Sequence, residues 1–197
     1  MGLTIHYEFQ VSGDDPVLAR KLVEKLRQRA LQLPFANVGE IQILNGEECL
    51  FQFDRDKLRF MAAMNLHDPN LFIQPTEIIA FDAQPGNGCE SAWFGLRLHE
   101  GLYSWQSFCK TGAFALDCLR CHLNVIKTLD YAAELDMLRM VRDDGGYWED
   151  RDWRELLRRN GGELPLPREK AVAKQIGAWF GRAKKPINWK QYAYVED

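Results

Sequence analysis

The chain has 197 residues, of which 46% are hydrophobic and 27% charged, and a net charge of −3. These values are typical of a folded globular domain and exclude intrinsic disorder, and no stretch reaches the roughly 20 apolar residues of a membrane-spanning helix. The N-terminus has no basic segment followed by an apolar run, so we expect a cytoplasmic protein without membrane contact. The five cysteines are then expected to be free thiols.

Charge is unevenly distributed along the chain. Residues 165–197 carry a net charge of +4, which leaves −7 on residues 1–164. The positive segment interleaves basic and aromatic side chains, and its candidate binding residues are Trp179, Lys184, Lys185 and Trp189. Such a segment can dock on its own acidic body, on a second subunit or on a protein partner, or it can bind single-stranded nucleic acid. Because the whole chain is acidic, we favour docking over nucleic acid.

The first elements have clear patterns. Apolar and polar residues alternate from Leu3 to Val11, which predicts a strand with one buried face. Asp15 and Pro16 then form a helix start, and apolar residues recur every three or four positions as far as Leu33. We therefore predict a first strand and a first helix that ends at about Leu33, before Pro34.

The middle of the chain predicts further strands. Residues 38–44 and 49–53 favour a hairpin, because Asn45-Gly46 between them is a typical hairpin turn. Residues 54–66 are ambiguous but compatible with a short helix. Residues 76–82 and 93–99 predict two more strands, separated by a turn-rich loop.

Helical spacing dominates the rest of the chain. It runs from Thr111 to Arg142, with an interruption near Asp136 as an alternative, and returns in residues 152–159 and 168–182. The sequence thus predicts an α+β fold, a mostly antiparallel sheet with helices packed on one face, ferredoxin-like or related. We expect one domain in residues 1–160, followed by a linker and a basic, aromatic C-terminal helix or tail in residues 161–197.

Residues 118–122 match the Cys-x-x-Cys-His pattern of haem attachment. We reject this interpretation because the pentapeptide lies inside a strongly periodic helix and no export signal precedes it. A redox pair needs its first thiol at a helix N-terminus, and a zinc site needs a second pair of ligands. We therefore predict neither a cofactor nor a metal.

Cys109 is the best candidate for a reactive thiol. It lies just before the predicted long helix, and Lys110 adds a positive charge next to it. Glu90, in the loop of residues 85–90, or His122 is the candidate acid or base. The alternative, which we favour, is that Cys109 is simply buried at the end of a strand.

Two further groups are candidates for binding. His6 and Glu8 share the polar face of the first strand, and Arg97 and His99 share one face of a later strand, so the four meet if those strands are neighbours. Tyr147 and Trp148 either line the mouth of a pocket or anchor their acidic loop to the core, and we favour the second.

The sequence resembles a group of uncharacterised bacterial proteins that open with Met-Gly-Leu-Thr-Ile-His-Tyr, here residues 1–7. The similarity continues through residues 26–30, 85–95, 108–111, 121–123 and 145–149, and it covers most of residues 1–155. The resemblance implies a shared domain but no activity, and Cys118 is not part of the pattern.

Two hypotheses of function follow from the sequence. We favour a non-catalytic binding or interaction protein whose contact surfaces are the polar face of the sheet and the C-terminal tail. The alternative is a small enzyme with Cys109 as nucleophile, Glu90 or His122 as acid or base, and Lys110 as electrostatic support.

Overall fold

The structure is a computed structural model, and it describes residues 3–51, 56–68, 70–111, 116–159 and 166–180. For residues 116–118, 166–169 and 179–180 it describes the backbone alone. No helix in these ranges is both long and apolar enough to cross a membrane.

Seven strands of the described residues form one antiparallel sheet, in the order β2-β4-β5-β6-β1-β7, with β3 also paired to β4. The strands are β1 (Leu3–Val11), β2 (Asn37–Val38), β3 (Gln42–Asn45), β4 (Glu77–Gln84), β5 (Ala92–His99), β6 (Leu102–Thr111) and β7 (Leu138–Asp143). The predicted first strand is confirmed from Leu3, the first residue that the structure describes, to its end at Val11. It lies inside the sheet because both β6 and β7 pair with it.

The described part of the chain contains six α-helices. They are α1 (Pro16–Leu31), α2 (Lys57–Ala63), α3 (Leu116–Glu134), α4 (Tyr147–Asp150), α5 (Trp153–Arg159) and α6 (Leu166–Phe180). The start of α1 is as predicted, with the Asp15 carboxylate accepting from the Val17 N–H and Pro16 in the first turn. The α+β class, with an antiparallel sheet, is thus confirmed.

One face of the sheet, the inner face, packs against α1 and α3. The alternate residues of β1 that face this layer are buried, and so are those of β6 from Tyr103 to Thr111. The core therefore lies between the sheet and these two helices, as expected of a two-layer fold.

The other face of the sheet, the outer face, is covered in part by α2. The register Arg97↔Ser104 places Arg97 on the same face as Gln106, opposite to the face of Thr111. Arg97 and Gln106 both contact residues of α2 or the segment after it. The sequence predicted helices on one face alone, and α2 adds a helix on the other face.

The predicted hairpin of residues 38–53 is wrong. β2 and β3 pair with β4 rather than with a strand after Gly46, and residues Gly46–Cys49 form a 3-10 helix. Asn45 and Glu48 cap this helix reciprocally, so the residues that resembled a hairpin turn start a helical turn instead. Residues 52–53 lie outside the described ranges.

The last part of the predicted long helix is also wrong. α3 ends at Glu134, and the chain turns at Asp136, whose φ is +57°. Residues 138–143 then form β7, because their alternate side chains can be buried against the edge of β1. The alternative interruption near Asp136 is thus where the helix stops.

Candidate functional site

His122 lies at the centre of a buried network on the inner face. Its Nδ1 is 2.9 Å from Thr111 Oγ1, at the end of β6, and its Nε2 is 3.0 Å from Asp143 Oδ2, at the end of β7. The Thr111 hydroxyl also lies 3.2 Å from the Leu3 carbonyl of β1. The network thus connects α3 to three adjacent strands.

Asp143 also shapes the turn between β7 and α4. Its carboxylate accepts from the Gly145 N–H at 2.8 Å and from the Trp148 N–H at 2.9 Å. Burial by itself would raise the pKa of Asp143, but the charge of His122 and these hydrogen bonds outweigh it and lower the pKa. A Cβ at Gly145 would lie 2.6 Å from Leu156 Cδ1 and 3.2 Å from His122 Cε1, so a larger residue here would displace the buried Leu156 side chain.

The network has the residue types of a catalytic triad but no access to solvent. Thr111 and His122 are 0% exposed and Asp143 is 7% exposed. A general base must lie within reach of a substrate proton, and no substrate can approach a base that is fully packed. In this structure the three side chains hold α3 and the β7–α4 turn against the sheet.

Cys109 lacks the properties that a nucleophile needs. Its side chain is 0% exposed, and its Sγ donates to the Glu90 carbonyl at 3.3 Å rather than to a basic side chain. Burial, with the nearby Cys89 and Glu90, raises the pKa of the thiol well above its usual range. The structure places Cys109 in the core, near the end of β6.

The proposed helpers of Cys109 do not converge on it. His122 is held by Thr111 and Asp143. Lys110 follows Cys109 in β6, so its exposed side chain lies on the opposite face of the sheet. Glu90 is exposed, and its backbone N–H donates to the Lys110 carbonyl. The hydrogen bond between Cys109 and Glu90 thus involves the backbone carbonyl of Glu90.

On the outer face, Arg97 and Glu8 contact the segment that contains α2. Arg97 is 1% exposed, and its Nη1 donates to the carbonyls of Ala62 and Met64 at 2.7 Å each, at the C-terminal end of α2. Burial lowers the pKa of Arg97 to about 10, and the charge of Glu8 acts in the opposite direction. Glu8 accepts from Gln106 at 3.0 Å and lies 2.6 Å from His67 Nε2.

The two remaining members of the predicted polar cluster lie at its margins. His99 Nδ1 is 3.1 Å from the Gln74 carbonyl. His6 lies beside Phe108, with ring centroids 5.9 Å apart, and burial lowers its pKa, with Asp144 opposing and Arg142 adding to the shift. The four residues do share the outer face, but they do not form one site, because β6 lies between β1 and β5.

Tyr147 and Trp148 do not line a pocket mouth. Trp148 is 0% and Tyr147 7% exposed, and the Arg151 guanidinium lies 4.3 Å from the Trp148 ring centroid. They anchor the turn after β7 to the core. The backbone of Trp179 is described, whereas Lys184, Lys185 and Trp189 lie outside the described residues.

A surface that sequence reasoning missed lies at the edge of α2. Phe51 stacks on Phe72 at 5.5 Å between ring centroids and contacts Phe60 at 5.8 Å. Four large apolar side chains of this group are exposed to solvent: Leu50 (46%), Phe60 (41%), Leu71 (55%) and Phe72 (45%). We call these four residues and Phe51 the aromatic patch. Its members come from three separate parts of the chain, so no local sequence motif predicts it.

The described residues contain no group of three His, Cys, Asp or Glu side chains that could hold a metal ion. No protein-family model, curated protein or solved structure matches this chain.

Proposed function

We propose that this is a non-catalytic binding protein that recognises a protein partner through the aromatic patch. The observation that carries the proposal is the exposure, at 41–55% each, of two phenylalanines that both contact Phe51 and of the leucines that precede Phe51 and Phe72 in the chain. The largest exposed apolar patch of a protein is often a functional contact surface.

The energetics favour recognition by burial. Full burial of a leucine or phenylalanine side chain contributes about 1.5–3 kcal/mol, so covering the exposed half of each of four such side chains contributes roughly 4 kcal/mol in total. Phe51 supports the patch from below through its contacts with Phe60 and Phe72. A supported aromatic cluster can serve as an anchor without a large loss of side-chain entropy.

The state of the reactive groups supports binding over catalysis. The Cys109 thiol and the His122 imidazole are 0% exposed, and each is hydrogen-bonded within the fold. The polar residues of the outer face, which the sequence offered as a contact surface, are largely occupied by residues 62–74 of the same chain. We therefore propose the aromatic patch, rather than the polar face of the sheet, as the contact surface.

We also propose that the protein is cytoplasmic and that it belongs to the bacterial group that its sequence resembles. Cys49 and Cys109 are free thiols, as is usual in a reducing compartment. The C-terminal tail stays a proposed second contact surface.

The proposal is tested by photo-crosslinking in the cells that produce the protein. A benzoyl-phenylalanine replaces Phe72 in one variant and, as a control, Val17 of α1, which is more exposed at 72%. We expect a discrete crosslinked product from position 72 alone, which disappears when Leu71→Ser and Phe60→Ser are added. Equal products from both positions, or none from position 72, would contradict the proposal.

A further inference from the structure

Two Asn-Gly pairs lie in the described part of the chain, at residues 45–46 and 87–88, and a third, at residues 160–161, lies outside it. An asparagine followed by glycine is prone to spontaneous deamidation, because glycine has no side chain to hinder the attack of its backbone nitrogen on the asparagine side chain. Neither the aromatic patch nor the buried network of His122 contains one of these pairs. The two described pairs lie in opposite environments.

The first pair, Asn45-Gly46, is held by hydrogen bonds on both sides of the asparagine. The Gly46 N–H donates to the Thr76 carbonyl at 2.9 Å, and the Asn45 N–H donates to the Glu48 carboxylate at 3.1 Å. Asn45 also ends β3 in an extended conformation, opposite Glu77 of β4. The nitrogen that would attack the Asn45 side chain is therefore already bonded and fixed.

The second pair, Asn87-Gly88, lies in the loop between β4 and β5. Both residues are exposed, and neither the Asn87 side chain nor the Gly88 N–H is hydrogen-bonded to any residue that the structure describes. Gly88 has a φ of +78°, in the left-handed region that favours glycine. No hydrogen bond within the described fold therefore restrains the attacking nitrogen or the amide that it attacks.

The base of this loop, in contrast, is fixed. Gln84 Nε2 donates to the carbonyls of Gly86 and Cys89 at 2.8 Å each, and the Ser91 hydroxyl donates to Gln84 Oε1 at 2.9 Å. The Cys89 N–H also donates to the Gly86 carbonyl at 3.3 Å, which closes the turn around the Asn-Gly pair. A reaction in the turn is thus confined between two anchored residues.

We propose that Asn87 is a site of spontaneous deamidation in the folded protein and that the fold protects Asn45. The Gly88 nitrogen forms a bond to Asn87 Cγ and gives up its proton, and the side-chain nitrogen takes up a proton and leaves as ammonia. Water then opens the resulting cyclic imide at either carbonyl, which yields aspartate or isoaspartate. The reaction consumes one water, releases one ammonia and needs no oxidant or cofactor.

The modification changes both the charge and the backbone of the loop. A carboxylate replaces a neutral amide, so the net charge of −3 becomes more negative by one unit. Isoaspartate also adds a methylene to the main chain between the anchored carbonyls of Gly86 and Cys89. The long hydrogen bond of 3.3 Å between these two residues should be the first to break. The loop between β4 and β5 would then carry an irreversible mark of the age of each molecule.

Peptide mapping by mass spectrometry of the full chain, aged at mildly alkaline pH, tests the inference. In the native protein Asn87 should convert roughly tenfold faster than Asn45, the order of effect expected from one backbone hydrogen bond. In denaturant the two should convert at similar rates, because both precede glycine. Equal native rates, a difference of the same size in denaturant, or no native conversion of Asn87 while the denatured chain converts would each overturn the inference.

A variant of the reacting side chain tests the chemistry. Asn87→Gln lengthens the side chain by one methylene, which slows ring closure by the Gly88 nitrogen. Position 87 should then stay unmodified, while Asn45 ages as in the wild type. Asn70→Gln is the control, since Asn70 is exposed but precedes Leu71, and it should leave the conversion of Asn87 unchanged. Conversion at position 87 of the glutamine variant at the wild-type rate would overturn attack by the Gly88 nitrogen.

Discussion

At the scale of single residues, the side chains with chemical potential serve the fold. His122 joins Thr111 to Asp143, and Cys109 is packed in the core. Both were candidates for catalysis because their residue types are reactive. Both side chains are fully buried in this structure, whereas a nucleophile or general base must be within reach of its substrate.

Asp143→Asn should destabilise the protein by about 3 kcal/mol, because removing the Asp143 carboxylate leaves the buried His122 side chain without its compensating charge. Equilibrium urea unfolding measures the effect. Asp144→Asn is the control, since the neighbouring Asp144 is 41% exposed and its contact with Arg142 is long, at 3.9 Å. A change below about 0.5 kcal/mol from the exposed residue is expected.

The effect of Asp143→Asn on the free energy of unfolding should depend on pH. The folded-state pKa of Asp143 is lowered, so its contribution is fully present above the unfolded-state pKa of about 3.9 and is lost as pH falls through the folded-state pKa. The difference in unfolding free energy between the wild type and Asp143→Asn should therefore shrink below about pH 4. A difference that grows on acidification would contradict the lowered pKa.

Alkylation of the native protein should spare Cys109. Its raised pKa and complete burial leave almost no accessible thiolate at neutral pH. Cys89, which is partly exposed, should react first, as mass spectrometry of partially labelled protein would show. In denaturant the two should react at similar rates. Rapid native labelling of Cys109 would revive the enzyme hypothesis.

At the scale of elements, α2 depends on tertiary contacts more than on its own sequence. It has seven residues, too few to be stable alone. Asp56 caps its start, and Arg97 from β5 satisfies two carbonyls at its end. The Leu66 N–H bond to Gln106 Oε1 then fixes the segment that follows on the outer face.

Arg97→Met should loosen α2 while leaving the sheet intact. The variant removes two charge-assisted hydrogen bonds but also a buried charge, so its effect on global stability should be small. Hydrogen–deuterium exchange of the amides in residues 58–66 should accelerate at least tenfold, with β5 and β6 unchanged. The exposed Arg139→Met is the control. Unchanged exchange in α2 would show that Arg97 does not hold it.

At the scale of the whole molecule, the C-terminal helix bears on where the domain ends. The sequence predicted a domain boundary at about residue 160. Val172 of α6 is 4% exposed and belongs to the hydrophobic core, and Ile176 packs against it. On this packing α6 contributes to the stability of the body.

Val172→Ala tests that contribution. Removing two buried methyl groups should lower the free energy of unfolding by about 1.5 kcal/mol. Lys174→Ala, an exposed position in the same helix, should have little effect and controls for helix propensity. Equal stability of both variants and the wild type in urea would favour a body that ends near residue 160.

The sequence by itself determined the elements whose signals are local. The alternation of apolar and polar residues predicted β1, and the Asp15-Pro16 start predicted α1. Both signals are local, because a strand face and a helix cap depend only on neighbours along the chain. The α+β class followed from the order of such elements. The sharing of one sheet face by His6, Glu8, Arg97 and His99 was conditional on pairings that sequence does not supply.

The tertiary structure decided everything that depends on residues far apart in the chain. The apolar spacing of residues 138–143 is compatible with a helix, but these residues form a strand because they pair with β1. His122 acquired partners 11 and 21 residues away, and the aromatic patch gathered residues from three segments. Burial and contact between distant residues are products of packing, so the sequence could name reactive residues but only the fold decided which ones solvent can reach.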